Sequence, residues 1–103
     1  MNSRLQSLLA MYEKDPKDSF LIYGIGLEYI ALEDNEKAEQ YFKLLLEQDP
    51  GYVPLYTQYA RLKENQNKID EAKELYKKGI EVAKNSGDIH SANEMEEFLN
   101  ELE

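Results

Sequence analysis

Apolar residues recur along this chain at the spacing of a helix, and Pro, Gly and Asn interrupt them at intervals. In the first segment Leu5, Leu8, Leu9 and Tyr12 fall at i, i+3, i+4 and i+7, one stripe of a helix from about Ser3 to Lys14 that ends ahead of Asp15-Pro16. Asp18 suits the cap of a second helix reaching about Glu33, and Asp34 or Asn35 the cap of a third that ends at Gln48 before Pro50-Gly51. Two more follow, from about Val53 to Asn65 and from about Ile69 to Lys84, with Asn67-Lys68 as the turn. After Asn85-Ser86-Gly87, whose glycine suits a left-handed helix end, a last helix runs from about Asp88 to Leu102. No segment alternates apolar and polar residues as a strand does, so the pattern predicts an all-α fold.

The elements also repeat. Ala38-Glu39-Gln40-Tyr41-Phe42 returns 34 residues later as Ala72-Lys73-Glu74-Leu75-Tyr76, Ile22 and Gly26 return as Tyr56 and Ala60, and Asp15-Pro16 returns as Asp49-Pro50. A fixed period of this length marks a stack of helix-turn-helix units. Ile25-Gly26 and Tyr29 in one helix, with Ala38, Phe42 and Pro50 in the next, resemble the tetratricopeptide repeat, with Ile22 where that pattern has Trp. The second repeat is looser: Tyr56, Tyr59-Ala60, Ala72 and Tyr76 fit, Lys63 replaces a Tyr, and Lys84 replaces the closing Pro, which lets that helix run on.

The resemblance implies a short right-handed α-solenoid of about six antiparallel helices in one domain. Residues 3–17 form a half-repeat, 18–51 repeat one, 52–85 repeat two and 86–103 a capping helix. Gly26, Ala60, Ala38 and Ala72 are then the small residues that let paired helices approach, with aromatic rings filling the space beside them. In the last helix Ile89, Ala92, Met95, Leu99 and Leu102 are expected to turn inward, leaving His90, Glu94, Glu97 and Glu101 as a wet outer face.

The helix from Phe20 to Leu32 is apolar on nearly every side. Ile22, Ile25, Gly26 and Tyr29 are expected inside the repeat, and Leu21 and Leu32 against neighbouring helices. In the family it resembles, first helices line a concave groove for peptides or partner helices. That face here carries Phe20, Tyr23, Leu27, Ile30 and Ala31, continued by Thr57, Arg61, Glu64 and Asn65, then by Met95 and Phe98. Water-facing apolar stripes mark interaction sites. Three occupants are open for it: a peptide or helix of another protein, a second copy in a homodimer, or the chain's own first helix. The family's carboxylate clamp needs polar or basic groups where Tyr23 and Leu27 stand, so an apolar or amphipathic helix is the expected ligand, with Arg61 pairing an acid on it.

Charge narrows the partners. The net charge of −9 is unsuited to nucleic acid, whose phosphates need clustered Lys and Arg. Residues 1–51 carry ten acids and five bases, residues 52–84 five and seven, and residues 85–103 six acids and no base. The acidic end either meets a basic partner or is a solvated face that attracts Lys73, Lys77 and Lys78.

Candidate chemistry is sparse. The chain has no Cys and one His, so disulfides, thiolate metal sites and thiol nucleophiles are out, and no cofactor or metal is expected. Gly24-Ile25-Gly26 lacks the third glycine and preceding strand of a dinucleotide loop. Glu96-Glu97 and Asp70-Glu71 are adjacent on helices and diverge, and His90 sits on a polar face. The expected protein is therefore not an enzyme. The first residues, Met1 to Ser7, lack a signal peptide's apolar core and no run is long enough to span a bilayer, so a cytoplasmic setting away from membranes is expected.

Overall fold

The computed structural model describes residues 3–103, which form six helices and no strand. They divide into two compact units, the first closing at Asp49 and the second spanning Pro50–Glu103.

The first unit holds α1 (Ser3–Lys14), α2 (Ser19–Ala31) and α3 (Asn35–Gln48). Asp18 caps α2, its Oδ1 accepting from the Leu21 amide at 3.2 Å, and Asp34 caps α3 in the same way through the Lys37 amide. The second helix stops at Ala31, short of Glu33, because Glu33 turns left-handed at φ 61°. Its amide and that of Asp34 then return to the carbonyls of Ile30 and Tyr29, a Schellman closure. Leu8, Leu21 and Ile25 form one core cluster, with Leu5, Leu9, Tyr12, Tyr29 and Tyr41 packed around them, and Ile22, Ala38, Phe42 and Leu45 are fully buried as well. Leu32 is an exception to the expected packing: it lies past the helix end and is 49% exposed. Gly26 meets Phe42 so closely that a methyl group there would lie 2.4 Å from the ring.

The second unit holds α4 (Val53–Asn65), α5 (Ile69–Asn85) and α6 (Ile89–Leu102). Pro54 occupies the first turn of α4, where its missing N–H has no intrahelical partner to lose. Asn67 at φ 60° and Gly87 at φ 82° close α4 and α5 as Glu33 closes α2, with Lys68 and Asp88 returning to the carbonyls of Lys63 and Ala83. The α5 helix has 17 residues where α3 has 14, the extension expected from Lys84 in place of Pro.

Tyr56, Ala60, Ala72, Tyr76 and Met95 are wholly buried, and Gly79 lies where a methyl would meet Tyr56 Cβ at 2.5 Å and Met95 Sδ at 2.6 Å. The Tyr56 hydroxyl donates to the Pro50 carbonyl. On α6, His90, Glu94, Glu97 and Glu101 are exposed as expected, but so is Ile89, at 55%, because it sits in the first turn beyond the reach of the core. Glu96 pairs with Lys84 at 3.1 Å, while Lys77 and Lys78 pair within α5 with Glu74 and Glu81. The ion pair that joins α5 to the acidic helix thus comes from the end of α5, not from its middle.

Candidate functional site

At 100° per residue, Leu21, Ile22, Ile25 and Gly26 fall on one half of α2 and are buried. Phe20, Tyr23, Leu27 and Ile30 fall on the opposite half within an arc of about 80°, with Gly24 and Ala31 beside them. Phe20 is 67% exposed, Ala31 is exposed, and Tyr23, Leu27 and Ile30 are half-buried. No charged residue lies on this arc. The nearest, Glu28, is held at its border by Arg4 of α1, Nε to Oε1 at 2.8 Å. An ordinary surface helix has a polar outer half, and α2 has none.

The stripe has a definite size. Phe20 presents about two-thirds of a side chain of ~200 Å² and its three companions a minor share of theirs, so the exposed apolar area is on the order of 200–350 Å². A standard protein–protein interface takes about 800 Å² from each partner, and the stripe alone is half of that or less.

The second unit gathers a different group. Thr57, Arg61 and Glu64 lie at i, i+4 and i+7 on α4. Phe98 of α6 lies beneath Arg61, with the guanidinium carbon 5.4 Å from the ring centroid. Phe98 also packs 5.8 Å from the Tyr76 ring, and the Tyr76 hydroxyl donates to Glu64 Oε2 at 2.5 Å. Burial, then this bond to Glu64, pushes the Tyr76 phenol well above the ordinary tyrosine value. Glu64 is thereby engaged inside the unit, while Arg61 is an exposed cation whose guanidinium lies over a ring.

Met95 does not belong with these residues. It is fully buried against Gly79, a core side chain and not a binding one. Tyr76 joins the cluster although its sequence signal was that of a packing position; a ring carrying a hydroxyl where repeat one has Phe42 is the difference that points to a polar partner.

Among the described residues, no group of three His, Cys, Asp or Glu side chains comes together to hold a metal ion, and no helix is long and apolar enough to cross a membrane.

Residues 29–93 match the sequence profile of the tetratricopeptide repeat family. The chain is 25% identical over 99 residues to a TPR repeat-containing protein of Pseudomonas aeruginosa, an alignment covering 96% of this chain and 94% of that one. The solution structure of a tetratricopeptide repeat domain protein from Salinibacter ruber superimposes with a TM-score of 0.83 at 31% identity, covering 86% of this chain and 90% of the other. A Bordetella parapertussis protein shares the fold with a TM-score of 0.84 at 22% identity, over 99% and 89% of the two chains.

Proposed function

The chain belongs to the tetratricopeptide repeat family, and on that premise we propose that it is a non-catalytic, cytoplasmic binding module that receives an amphipathic helix of another protein on the outer stripe of α2. Repeats of this family generally mediate protein–protein interaction. The observation that carries the reading is the uncharged outer half of α2, where Phe20, Tyr23, Leu27 and Ile30 stand in one row. Their 3-4-3 spacing is that of a helix-packing seam. The area of the row suits one small helix better than a symmetric contact between two copies, each carrying a net charge of −9. In the second unit, taken by itself, Arg61, with Thr57 on the same helix face and Phe98 under it, is a cation suited to pairing with an acid. Polyanionic partners such as nucleic acid are disfavoured by the net charge of −9.

Affinity capture with the wild type and with Leu27→Asp and Ile30→Asp tests this, with circular dichroism to verify that the variants stay folded. Partners retained by the wild type and lost by both variants support the stripe as the site. Partners retained by all three move the site elsewhere. Light scattering decides the remaining question of occupancy: a monomer across micromolar concentrations leaves the stripe open, whereas a tight dimer that Leu27→Asp dissociates without unfolding overturns the reading in favour of self-association.

A further inference from the structure

The first unit contains a second feature that the stripe on α2 does not use. Tyr12 of α1 and Tyr41 of α3 meet with their ring centroids 5.9 Å apart and their planes at 75°. With Gln40 and Leu44 they line a cavity of about 230 Å³. We infer that this corner is a receptor for the head group of a methylated, quaternary-type ammonium cation.

The rings meet edge to face, so the cation would sit beside the contact, in the corner where both rings border the cavity, and be drawn by the negative quadrupole of ring face left open there. The same aromatic array already attracts an ammonium group. Tyr29 stacks on Tyr41 at 5.8 Å, and Lys37 Nζ lies 5.6 Å from the Tyr29 centroid. Leu44 supplies an apolar wall for methyl groups, and Gln40, exposed at the rim, supplies an amide oxygen. A cavity of about 230 Å³ is below the range of pockets that enclose drug-sized ligands, so it takes a head group and not a whole large molecule.

Electrostatics agree with the sign. The first unit carries ten acids against five bases, a field that concentrates cations. Burial, with the Tyr29 and Tyr12 phenols close by, raises the Tyr41 phenol above its ordinary value, so that wall remains a neutral ring at neutral pH. A neutral apolar ligand gains only the Leu44 wall and ring contact, and a bare ammonium is more strongly hydrated; a methylated cation uses every surface present.

The test is a titration of the full chain with choline chloride, followed by NMR at the ring protons of Tyr12 and Tyr41. The control is choline's uncharged isostere, in which carbon replaces the nitrogen. Saturable shifts at both rings with choline, at least about tenfold weaker with the isostere, are the expected result. Equal responses to the two, or no saturable shift at millimolar choline, overturn the proposal, and this comparison needs no variant. Tyr12→Phe is expected to retain binding. Tyr12→Leu, verified as folded by circular dichroism, is expected to lose it, and retention by Tyr12→Leu would also overturn the assignment. A trimethyl-lysine peptide that binds more tightly than choline assigns the cation to a protein side chain, whereas equal binding assigns it to a free small molecule. Either result supports the shared chemistry.

Discussion

Three glycines sit inside helices, and adding one methyl group to each separates close packing from mere helix propensity. Replacing a mid-helix Gly by Ala favours the helix by about 1 kcal/mol wherever the methyl fits. At Gly24 it fits: the new Cβ would lie 3.5 Å from Leu8 Cδ1, an ordinary contact. Gly24→Ala is therefore expected to stabilise the protein by ~0.5–1 kcal/mol.

At Gly26 the methyl would lie 2.4 Å from Phe42 Cε1 and 2.8 Å from Cδ1. That is about 1 Å inside comfortable carbon–carbon separation. Overpacking of this kind costs roughly 1–3 kcal/mol, so after the propensity gain Gly26→Ala should be destabilised by about 0–2 kcal/mol. At Gly79 the obstruction is harder to move. Met95 can swing its thioether aside, but Tyr56 Cβ, 2.5 Å away, is fixed to the α4 backbone, so α4 and α5 must separate. Gly79→Ala belongs at the top of the range, a net loss of about 2 kcal/mol.

Urea unfolding followed by circular dichroism measures all three. The expected order of stability is Gly24→Ala above wild type, then Gly26→Ala, then Gly79→Ala. Combining Gly26→Ala with Phe42→Leu should cost less than the sum of the single changes by about 1 kcal/mol, since the methyl occupies part of the space the ring vacates. Loss at Gly24 equal to that at Gly79, or strict additivity of the Gly26 and Phe42 changes, would refute the packing argument.

Other expectations rest on caps and charges. Glu33 is held left-handed at φ 61° at the position where glycine is preferred, so Glu33→Gly should stabilise by ~0.5–1 kcal/mol in the same assay, and Asn67→Gly by less because Asn tolerates that region. The Asp88 carboxylate accepts from the Ser91 hydroxyl at 2.8 Å and the Ser91 amide at 3.1 Å, which holds its pKa below the ordinary value of 3.8. Its stabilisation is present above that value and disappears as pH falls through the lower folded-state value. Asp88→Asn should accordingly show a shallower loss of stability on acidification than wild type. Lys63 is 5% exposed and pairs with Glu71 at 3.1 Å; Glu71→Ala should destabilise by about 1 kcal/mol, a figure held down because that carboxylate is 58% exposed.

The period of 34 residues made the small positions readable in advance, and Ile22, Gly26, Ala38 and Phe42 with their counterparts Tyr56, Ala60, Ala72 and Tyr76 are all buried. Gly79 escaped because its counterpart, Leu45, is large. The two substitutions compensate: repeat two exchanges Ile22 for the bulkier Tyr56, and Gly79 surrenders a side chain where that ring arrives. Helix ends were less legible than helix existence. Glu33 reads as a good helix former, and only the closing hydrogen bonds at the end of α2 turn it left-handed.

Among the candidate site residues, Phe20, Tyr23, Leu27 and Ile30 share one arc, and Arg61, Glu64 and Phe98 gather around Tyr76. Met95 satisfied both an inward and an outward reading of the α6 periodicity; depth against Gly79 decided for the core. The corner of Tyr12 and Tyr41 had no signal, since each ring is unremarkable in its own helix and the right angle between them arises only when α1 meets α3.

The most direct test of the binding claim is selection from a display library of short helical peptides on the folded wild type, with folded Leu27→Asp as the counter-target. Amphipathic helices with apolar residues at 3-4 spacing are expected to be enriched, binding wild type and failing on Leu27→Asp. Enrichment of nothing, or of peptides that bind Leu27→Asp equally well, would contradict it.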